Sequence, residues 1–109
     1  RFNKDFSIIM FDIDDFKKIN DTKGHPVGNE ALKFVSEAII KSVRELDIKG
    51  RYGGDEFVIS PIEANEEIAF QIAQKIQSNL AEMSQPEVLK SDKLTISVGI
   101  SSNKNNIIF

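Results

Sequence analysis

The sequence of 109 residues lacks cysteine, contains a single histidine and has no excess of basic residues. Without cysteine, neither a disulfide framework nor a cysteine-bound metal or iron–sulfur site is available, which suits a cytoplasmic protein. Any metal ion must therefore bind oxygen atoms or His25. With 14 basic and 17 acidic residues the net charge is −3, so the chain offers no basic surface for a nucleic acid polymer. A single bound nucleotide remains compatible with this charge.

Long apolar runs are also absent, because no stretch approaches the length of about 20 residues that a membrane helix needs. Hydrophobic residues at 40% and charged residues at 28% are proportions typical of soluble globular proteins. We expect a single domain over residues 1–109, which is long enough to form one hydrophobic core. The abrupt start at Arg1 and the apolar end indicate a piece of a larger protein, and membrane attachment outside this piece is left open.

The first half of the chain predicts one strand and two helices. Residues 6–14 (FSIIMFDID) form a short apolar run that fits a buried strand ending in acids. A helical turn through Phe16 and Ile19 follows, before Asn, Asp, Gly, His and Pro interrupt regular structure. Pro26 suits the first position of the next helix. Apolar residues that recur every three or four positions predict a helix over residues 31–46.

A β-hairpin is predicted where residues 48–52 and 56–60 flank the two glycines of the motif RYGGDEF. Tight hairpin turns need positive φ, so we expect the glycines to supply it. The motif therefore places the carboxylates of Asp55 and Glu56 just past a tight turn, where they repel each other.

The second half of the chain adds a helix over residues 66–83 and an alternating strand over residues 94–101. The full order is strand, helix, helix, strand, strand, helix, strand. This interleaving predicts an α/β (α+β) sandwich in which helices flank a mixed β-sheet of ferredoxin-like or palm type.

Acidic residues occur in two clusters, with Asp12, Asp14 and Asp15 after the first strand and Asp55 and Glu56 at the hairpin. If the first strand and the hairpin are neighbours, these carboxylates converge. Carboxylates held close raise one another's pKa and are destabilising unless a cation lies among them. Oxygen ligands favour Mg²⁺, which binds through one or two carboxylates plus substrate phosphates. The alternative is an ordinary strand end and a solvated turn.

Two segments, RYGGDEF and FDIDDFKKINDTKGHPVGN, closely resemble the GGDEF domain of diguanylate cyclases, which condense two GTP molecules into cyclic di-GMP. The resemblance extends over residues 6–101 and includes the typical SVGIS. It implies the palm-like architecture of nucleotidyl cyclases, GTP as substrate, cyclic di-GMP as product, and Mg²⁺ as cofactor with Mn²⁺ as an alternative. Because each domain of the family binds one GTP, it also implies that catalysis needs a second GGDEF domain in a homodimer.

The resemblance implies that Asp12 binds the metal through its side chain, Ile13 through its backbone carbonyl, and Asp55 as a further ligand. Asp55 and Glu56 become the candidates for removing the proton from the ribose 3′-OH, and their two roles are not separated. The reaction would be an in-line phosphoryl transfer in which the metal neutralises charge.

Further positions are implied to bind the substrate. Asn20 would hydrogen-bond guanine, and His25 would line the nucleotide site, although a turn histidine at a helix N-terminus is an alternative reading. The positions implied to lie along the phosphates are Asp15, Phe16, Lys17, Gly53 and Gly54.

The segment RELD carries a candidate regulatory site, because Arg44 and Asp47 match the RxxD product-inhibition site that many members of the family have. A planar guanidinium suits a product phosphate or a guanine edge, and a carboxylate accepts from the N–H donors of guanine. The alternative is a surface ion pair at a helix end.

Asn29 departs from the family pattern, in which most active members have aspartate at this position as a guanine contact. A carboxylate accepts from both N–H donors of guanine, whereas the asparagine amide has one acceptor and one donor group. Asparagine complements adenine, and a subset of the family that makes mixed cyclic AMP–GMP also lacks the aspartate. We therefore expect relaxed base selectivity, or a helix cap at Asn29 with guanine held by Asn20.

Two rival functions remain beside an active cyclase. A degenerate GGDEF domain would bind GTP or cyclic di-GMP as a receptor without turnover, and a different palm-type cyclase or polymerase fragment is a weaker alternative. The acids at positions 12, 55 and 56 favour the enzyme. Asn29, together with the expected absence of the family's N-terminal lead-in and C-terminal basic helix from this chain, favours the receptor.

Overall fold

The computed structural model describes residues 6–43, 48–52, 54–61, 65–103 and 106–108. The strands are β1 (Ser7–Ile13), β2 (Ile48–Tyr52), β3 (Glu56–Ser60), β4 (Ile96–Ser102) and β5 (Asn106–Ile108). The helices are α1 (Phe16–Lys23), α2 (His25–Ser42) and α3 (Glu66–Glu82), followed by a short 3₁₀ helix at Glu87–Leu89. The strands form one sheet in the order β2-β3-β1-β4-β5.

The sheet is antiparallel at each described pairing, so the α+β palm-like class is confirmed but the expected mixed sheet is wrong. The helical crossover from β1 to β2 does produce two parallel strands, as such connections usually do. However, β3 lies between them and runs antiparallel to both. In the same way β1 separates β3 from β4. The prediction recognised that helices connect these strands, but not that another strand lies between the two strands that each helix connects.

The central strand β1 has two different faces, because its residues alternate between buried and exposed positions. Its buried face packs in the core through Ile9, Phe11 and Ile13. The opposite face carries Ile8, Met10 and Asp12, which are exposed, and we call this side of the sheet the open face. The apolar run was predicted to be a buried strand, but it is buried on one side only, because the described helices cover a single face.

The helix boundaries differ from the prediction at the junction of α1 and α2. The polar residues of α1 do not interrupt it, and the break occurs at Gly24, which has φ of 93°. Glycine adopts this left-handed backbone conformation without strain. Helix α2 then begins at His25, six residues before the predicted start, with Pro26 in its first turn where a missing N–H is tolerated.

Helix α3 packs against β1 and β4, and α2 packs against α3 and α1. The side chain of Asn65 caps α3 by accepting a hydrogen bond from the backbone N–H of Ile68 at 2.9 Å. The buried face of α3 consists of Ala69, Ala73, Ile76 and Leu80. Ile68, which was predicted to share the apolar face, is 39% exposed. None of the described helices combines the length and the hydropathy needed to cross a membrane.

The segment between α3 and β4 is held by polar contacts and supports α1. The amide of Gln85 donates to the carbonyls of Leu89 and Asp92 and accepts from the N–H of Leu94. Lys23, at the end of α1, forms an ion pair with Asp92 at 2.5 Å and donates to the hydroxyl of Ser91 at 3.0 Å. The helix that carries several candidate site residues is therefore fixed to the main body of the domain.

We expect Ile76→Ala to lower the free energy of unfolding by about 2–5 kcal/mol, because it opens a cavity in the core. Ile76 is fully buried, whereas Ile40 is 64% exposed and provides the matched control. Urea denaturation should show a large loss for Ile76→Ala and little change for Ile40→Ala. Equal losses in the two variants would contradict this description of the core.

Candidate functional site

The two acidic clusters meet where β1 pairs with β3. Asp12 lies directly opposite Glu56 in the antiparallel register. The backbone N–H of Ile13 donates to the backbone carbonyl of Asp55 at 3.3 Å. Because the side chains of directly opposed residues share one face of a sheet, Asp12 and Glu56 both lie on the open face. The first strand and the hairpin are therefore neighbours, which was the condition for the acids to converge. The chemical roles of these residues stay predictions.

Asp12 is electrostatically unfavourable as a carboxylate in this position. Partial burial raises its pKa above the ordinary value, and repulsion from Asp55 and then from Asp14 raises it further. No hydrogen bond to another described residue engages its side chain. A cation bound beside Asp12 would relieve this repulsion.

The predicted donor set would suit a hard cation such as Mg²⁺, because it consists of oxygen atoms alone, from the carboxylates of Asp12 and Asp55 and the carbonyl of Ile13. Within the described residues, no group of three or more acidic or histidine side chains is arranged to hold a metal ion. Two carboxylates and one backbone carbonyl would leave an ion to take its remaining ligands from water and substrate phosphates. A groove of about 200 Å³ on the open face adjoins these acids and is lined in part by Glu56, Ser97 and Gly99.

Asp14, which the sequence placed in the acidic cluster, has different surroundings from Asp12. Its carboxylate accepts hydrogen bonds from the hydroxyls of Thr95 at 2.6 Å and Ser97 at 2.5 Å. Its backbone N–H donates to the carbonyl of Thr95 at 2.9 Å. The sequence analysis did not predict these contacts. The pattern Thr95-Ile96-Ser97 could have indicated them, because alternate residues of a strand place two hydroxyls on the same face. Asp14 therefore joins the end of β1 to the start of β4.

Asp15 turns the chain from β1 into α1 in a left-handed conformation, with φ of 58° and ψ of 26°. Aspartate tolerates this region better than most residues, and such strain is common at functional sites. No side-chain hydrogen bond caps the start of α1. The backbone N–H groups of Phe16 and Lys17 are consequently available to an anion, as the predicted phosphate contacts require.

Asn20 occupies the junction between α1 and α2. Its carboxamide oxygen is buried and has no hydrogen-bond partner among the described residues. A Cβ atom added at Gly28 would lie 1.9 Å from this oxygen, so the bare backbone of α2 makes room for the amide. A buried acceptor without a partner is costly, and a ligand with N–H donors would satisfy it.

The structure describes three of the remaining predicted binding residues and leaves three outside the described part of the chain. His25 is the first residue of α2 and is exposed, and Asn29 is exposed in the same helix. Arg44, Asp47 and Gly53 lie outside the described residues, so their predicted roles are not examined by the structure.

Gly54 is exposed. The expectation of positive φ at the two glycines stays a prediction, because Gly53 lies outside the described residues. Tyr52 pairs with Glu56, and the two strands of the hairpin have the predicted bounds, Ile48–Tyr52 and Glu56–Ser60.

Comparison with known proteins gives a consistent family match. The family model described as "Diguanylate cyclase, GGDEF domain" matches residues 1–107. The chain is 38% identical over 96 residues to diguanylate cyclase DosC of Escherichia coli, covering 88% of this chain and 21% of that protein. It is 40% identical over 96 residues to diguanylate cyclase A of Treponema denticola, covering 88% of this chain and 26% of that protein. The chain thus spans about a quarter of these relatives.

A solved structure gives the same family. The structure of the active GGEEF domain of a diguanylate cyclase from Vibrio cholerae superposes with a TM-score of 0.82 and 34% identity. The match covers 94% of this chain and 64% of that chain.

We expect Asp12→Asn to raise the melting temperature of the metal-free protein, because it removes a carboxylate that burial, and then repulsion from Asp55 and Asp14, make unfavourable. After solvent screening the gain should be a few tenths of a kcal/mol, or roughly 1–3 °C. A folded-state pKa above the unfolded value means that the wild type loses stability as pH rises through that pKa. The difference between the proteins should therefore be present near pH 7 and should disappear below pH 3.8, the ordinary pKa of aspartate.

The control for Asp12→Asn is Glu37→Gln, which neutralises an exposed carboxylate on α2 outside the acidic clusters. Melting curves recorded with a chelator from pH 3 to pH 8 test the prediction. An Asp12→Asn protein less stable than the wild type at neutral pH would contradict it.

Proposed function

Because this chain belongs to the GGDEF domain family of diguanylate cyclases, we propose that it condenses two molecules of GTP into cyclic di-GMP. The observation that carries this proposal is the register of β1 and β3, which brings Asp12 opposite Glu56 and the backbone of Ile13 against that of Asp55. These four residues supply the oxygen ligands and the proton acceptor that the reaction needs.

The acids at the hairpin act on the nucleophile. In each step the 3′-oxygen of one GTP forms a bond to the α-phosphorus of the other, and the bond to the pyrophosphate leaving group breaks. The proton of the 3′-OH passes to Asp55 or Glu56, and two such steps close the ring. Asp12, Ile13 and Asp55 hold Mg²⁺, or Mn²⁺ in its place. When bound, the ion neutralises charge on the transferring phosphate.

The junction of α1 and α2 binds the nucleotide. The buried oxygen of Asn20 accepts a hydrogen bond from guanine, and His25 lines the site at the start of α2. The phosphates lie along Asp15, Phe16 and Lys17, where the uncapped N-terminus of α1 favours an anion. Gly53 and Gly54 leave room for the phosphates at the hairpin.

The proposed partner is a second GGDEF domain, because each domain binds one GTP and the two nucleotides must face each other. The open face, which carries Asp12 and Glu56, is the side of the sheet from which the second nucleotide approaches. Cyclic di-GMP inhibits the enzyme through Arg44 and Asp47. Since GTP is the substrate, we place the domain in the cytoplasm.

We expect Asp55→Asn and Glu56→Gln each to lower turnover of GTP by about 10²- to 10⁴-fold, because each change removes a proton acceptor or a metal ligand. Full-length protein is incubated with Mg²⁺ and GTP, and cyclic di-GMP is quantified by chromatography. Glu37→Gln on α2 is the control and should retain activity.

The same experiment distinguishes the rival functions. Wild-type turnover that survives both substitutions would rule out the assigned acids. A wild-type protein that binds cyclic di-GMP tightly but releases no pyrophosphate would be a receptor rather than a cyclase.

Relaxed base selectivity is a second candidate property, and the position of Asn29 favours it. Helix α2 begins at His25 after Gly24, so Asn29 is the fifth residue of the helix and does not cap it. The capping alternative is therefore wrong. Asn29 is exposed and follows Gly28, against which the buried amide of Asn20 packs. We propose that its own amide lies beside the base, where it would present a donor to a donor of guanine.

We expect the wild type to incorporate AMP when ATP is supplied with GTP, and Asn29→Asp to make cyclic di-GMP alone. The carboxylate removes a mismatch worth about 1–3 kcal/mol, so Asn29→Asp should also tighten GTP binding by about 5- to 150-fold. Asn65→Asp, which makes the same chemical change but keeps the cap of α3, is the control. Strict use of GTP by the wild type at the affinity of Asn29→Asp would contradict this proposal.

A further inference from the structure

The side chain of Asp14 connects three parts of the candidate site. Each oxygen of its carboxylate accepts one hydroxyl hydrogen bond, at 2.6 Å from Thr95, just before β4, and at 2.5 Å from Ser97 in β4. These lengths are typical of hydrogen bonds from a hydroxyl to an ionised carboxylate. Ser97 is also the register partner of Asp12 across the β1–β4 ladder.

Asp14 lies between residues with two different proposed tasks. The two residues before it on β1 are the proposed metal ligands Asp12 and Ile13, and the residue after it is Asp15, which begins the phosphate-binding turn. On one edge, the end of β1 is held by the bond from the Ile13 N–H to the Asp55 carbonyl. On the other edge, Asp14 holds it through both its backbone N–H and its side chain.

We propose that Asp14, fixed by the hydroxyls of Thr95 and Ser97, is a positioning residue that sets the geometry of the metal ligands Asp12 and Ile13 and of the phosphate-binding turn at Asp15. This inference rests on the proposed function, because it assigns a task to residues around the same site. The inference gives Asp14 a positioning task rather than a ligand's, because one hydroxyl hydrogen bond to each of its carboxylate oxygens fixes the orientation of the side chain. No hydrogen bond from a described residue engages the side chain of Asp12, which the proposed function assigns to the cation.

Substitutions of the two hydroxyl residues distinguish two effects on metal affinity: the position of the ligands and the charge of Asp14. Thr95→Val combined with Ser97→Ala removes both donors but keeps the negative charge of Asp14. Any loss of metal affinity in this double variant therefore arises from displaced ligands, not from a weaker attraction for the cation. Asp14→Ala removes the charge and the contacts together.

The primary measurement is the binding of Mn²⁺ alone to the full-length protein, followed by electron paramagnetic resonance. Loss of groups that orient metal ligands typically weakens metal binding by about 10- to 100-fold, and we expect this change for the double variant. The Mg²⁺ concentration for half-maximal turnover should rise by the same factor, while kcat at saturating Mg²⁺ falls much less. Asp14→Ala should cost less Mn²⁺ affinity in the double variant than in the wild type, because the contacts are already broken there and only the charge is removed.

Ser42→Ala is the matched control. It also removes a hydroxyl with two hydrogen-bond partners, Ala38 and Asn79, but this hydroxyl joins α2 to α3 and is not part of the acidic clusters. It should lower the melting temperature without changing Mn²⁺ affinity. Unchanged Mn²⁺ affinity in the double variant would overturn the inference. So would an equal loss for Asp14→Ala in the wild-type and the double-variant backgrounds, since the two hydroxyls would then not act through Asp14.

The metal measurement distinguishes failure of this inference from failure of the proposed function. A wild type that binds Mn²⁺ but makes no cyclic di-GMP would contradict the cyclase proposal. The Mn²⁺ affinity of the double variant would still test the role of Asp14. A wild type that turns over GTP, with a double variant of unchanged metal affinity, would refute the role of Asp14 alone.

Discussion

The antiparallel pairing of β1 with β3 is the constraint on which the site depends. It brings together residues more than 40 positions apart in the chain and sets Asp12 against Glu56 on one face of the sheet. The pairing holds negative charges close together, and burial, followed by repulsion from Asp55 and Asp14, raises the pKa of Asp12. The buried residues of these strands, including Phe11 and Phe57, stabilise the arrangement. Hydrophobic packing on one side of the sheet thus compensates for repulsion on the other.

The connections of the sheet explain why the site lies at one end of it. The turn after β1 leads directly into α1, and the loop before β3 lies at the same end as this turn. Helix α1 is fixed by Lys23 to the segment before β4, and β4 is joined to the end of β1 by Asp14. The proposed metal ligands, the proposed phosphate-binding groups and Asn20 are therefore carried by elements that support one another.

Much of the fold could be predicted from the sequence, because periodic apolar residues locate α3, β4 and the hairpin without tertiary information. The direction of neighbouring strands could not, since it depends on β3 entering between β1 and β2. Strand β5 was also missed, because three residues are too few to show a pattern. The acids were identified by their motif, whereas the role of Asp14 was not, because its partners lie more than 80 residues away.

Gly28 has a consequence for attempts to stabilise this domain. Replacing a helical glycine by alanine is a common stabilising change, worth about 1 kcal/mol where the site is open. In α2 the added methyl group would collide with the amide of Asn20. The helix therefore contains a residue that weakens it but leaves space for the side chain of Asn20. Sequence-based rules for thermostability would select this position and would displace a side chain of the proposed nucleotide site.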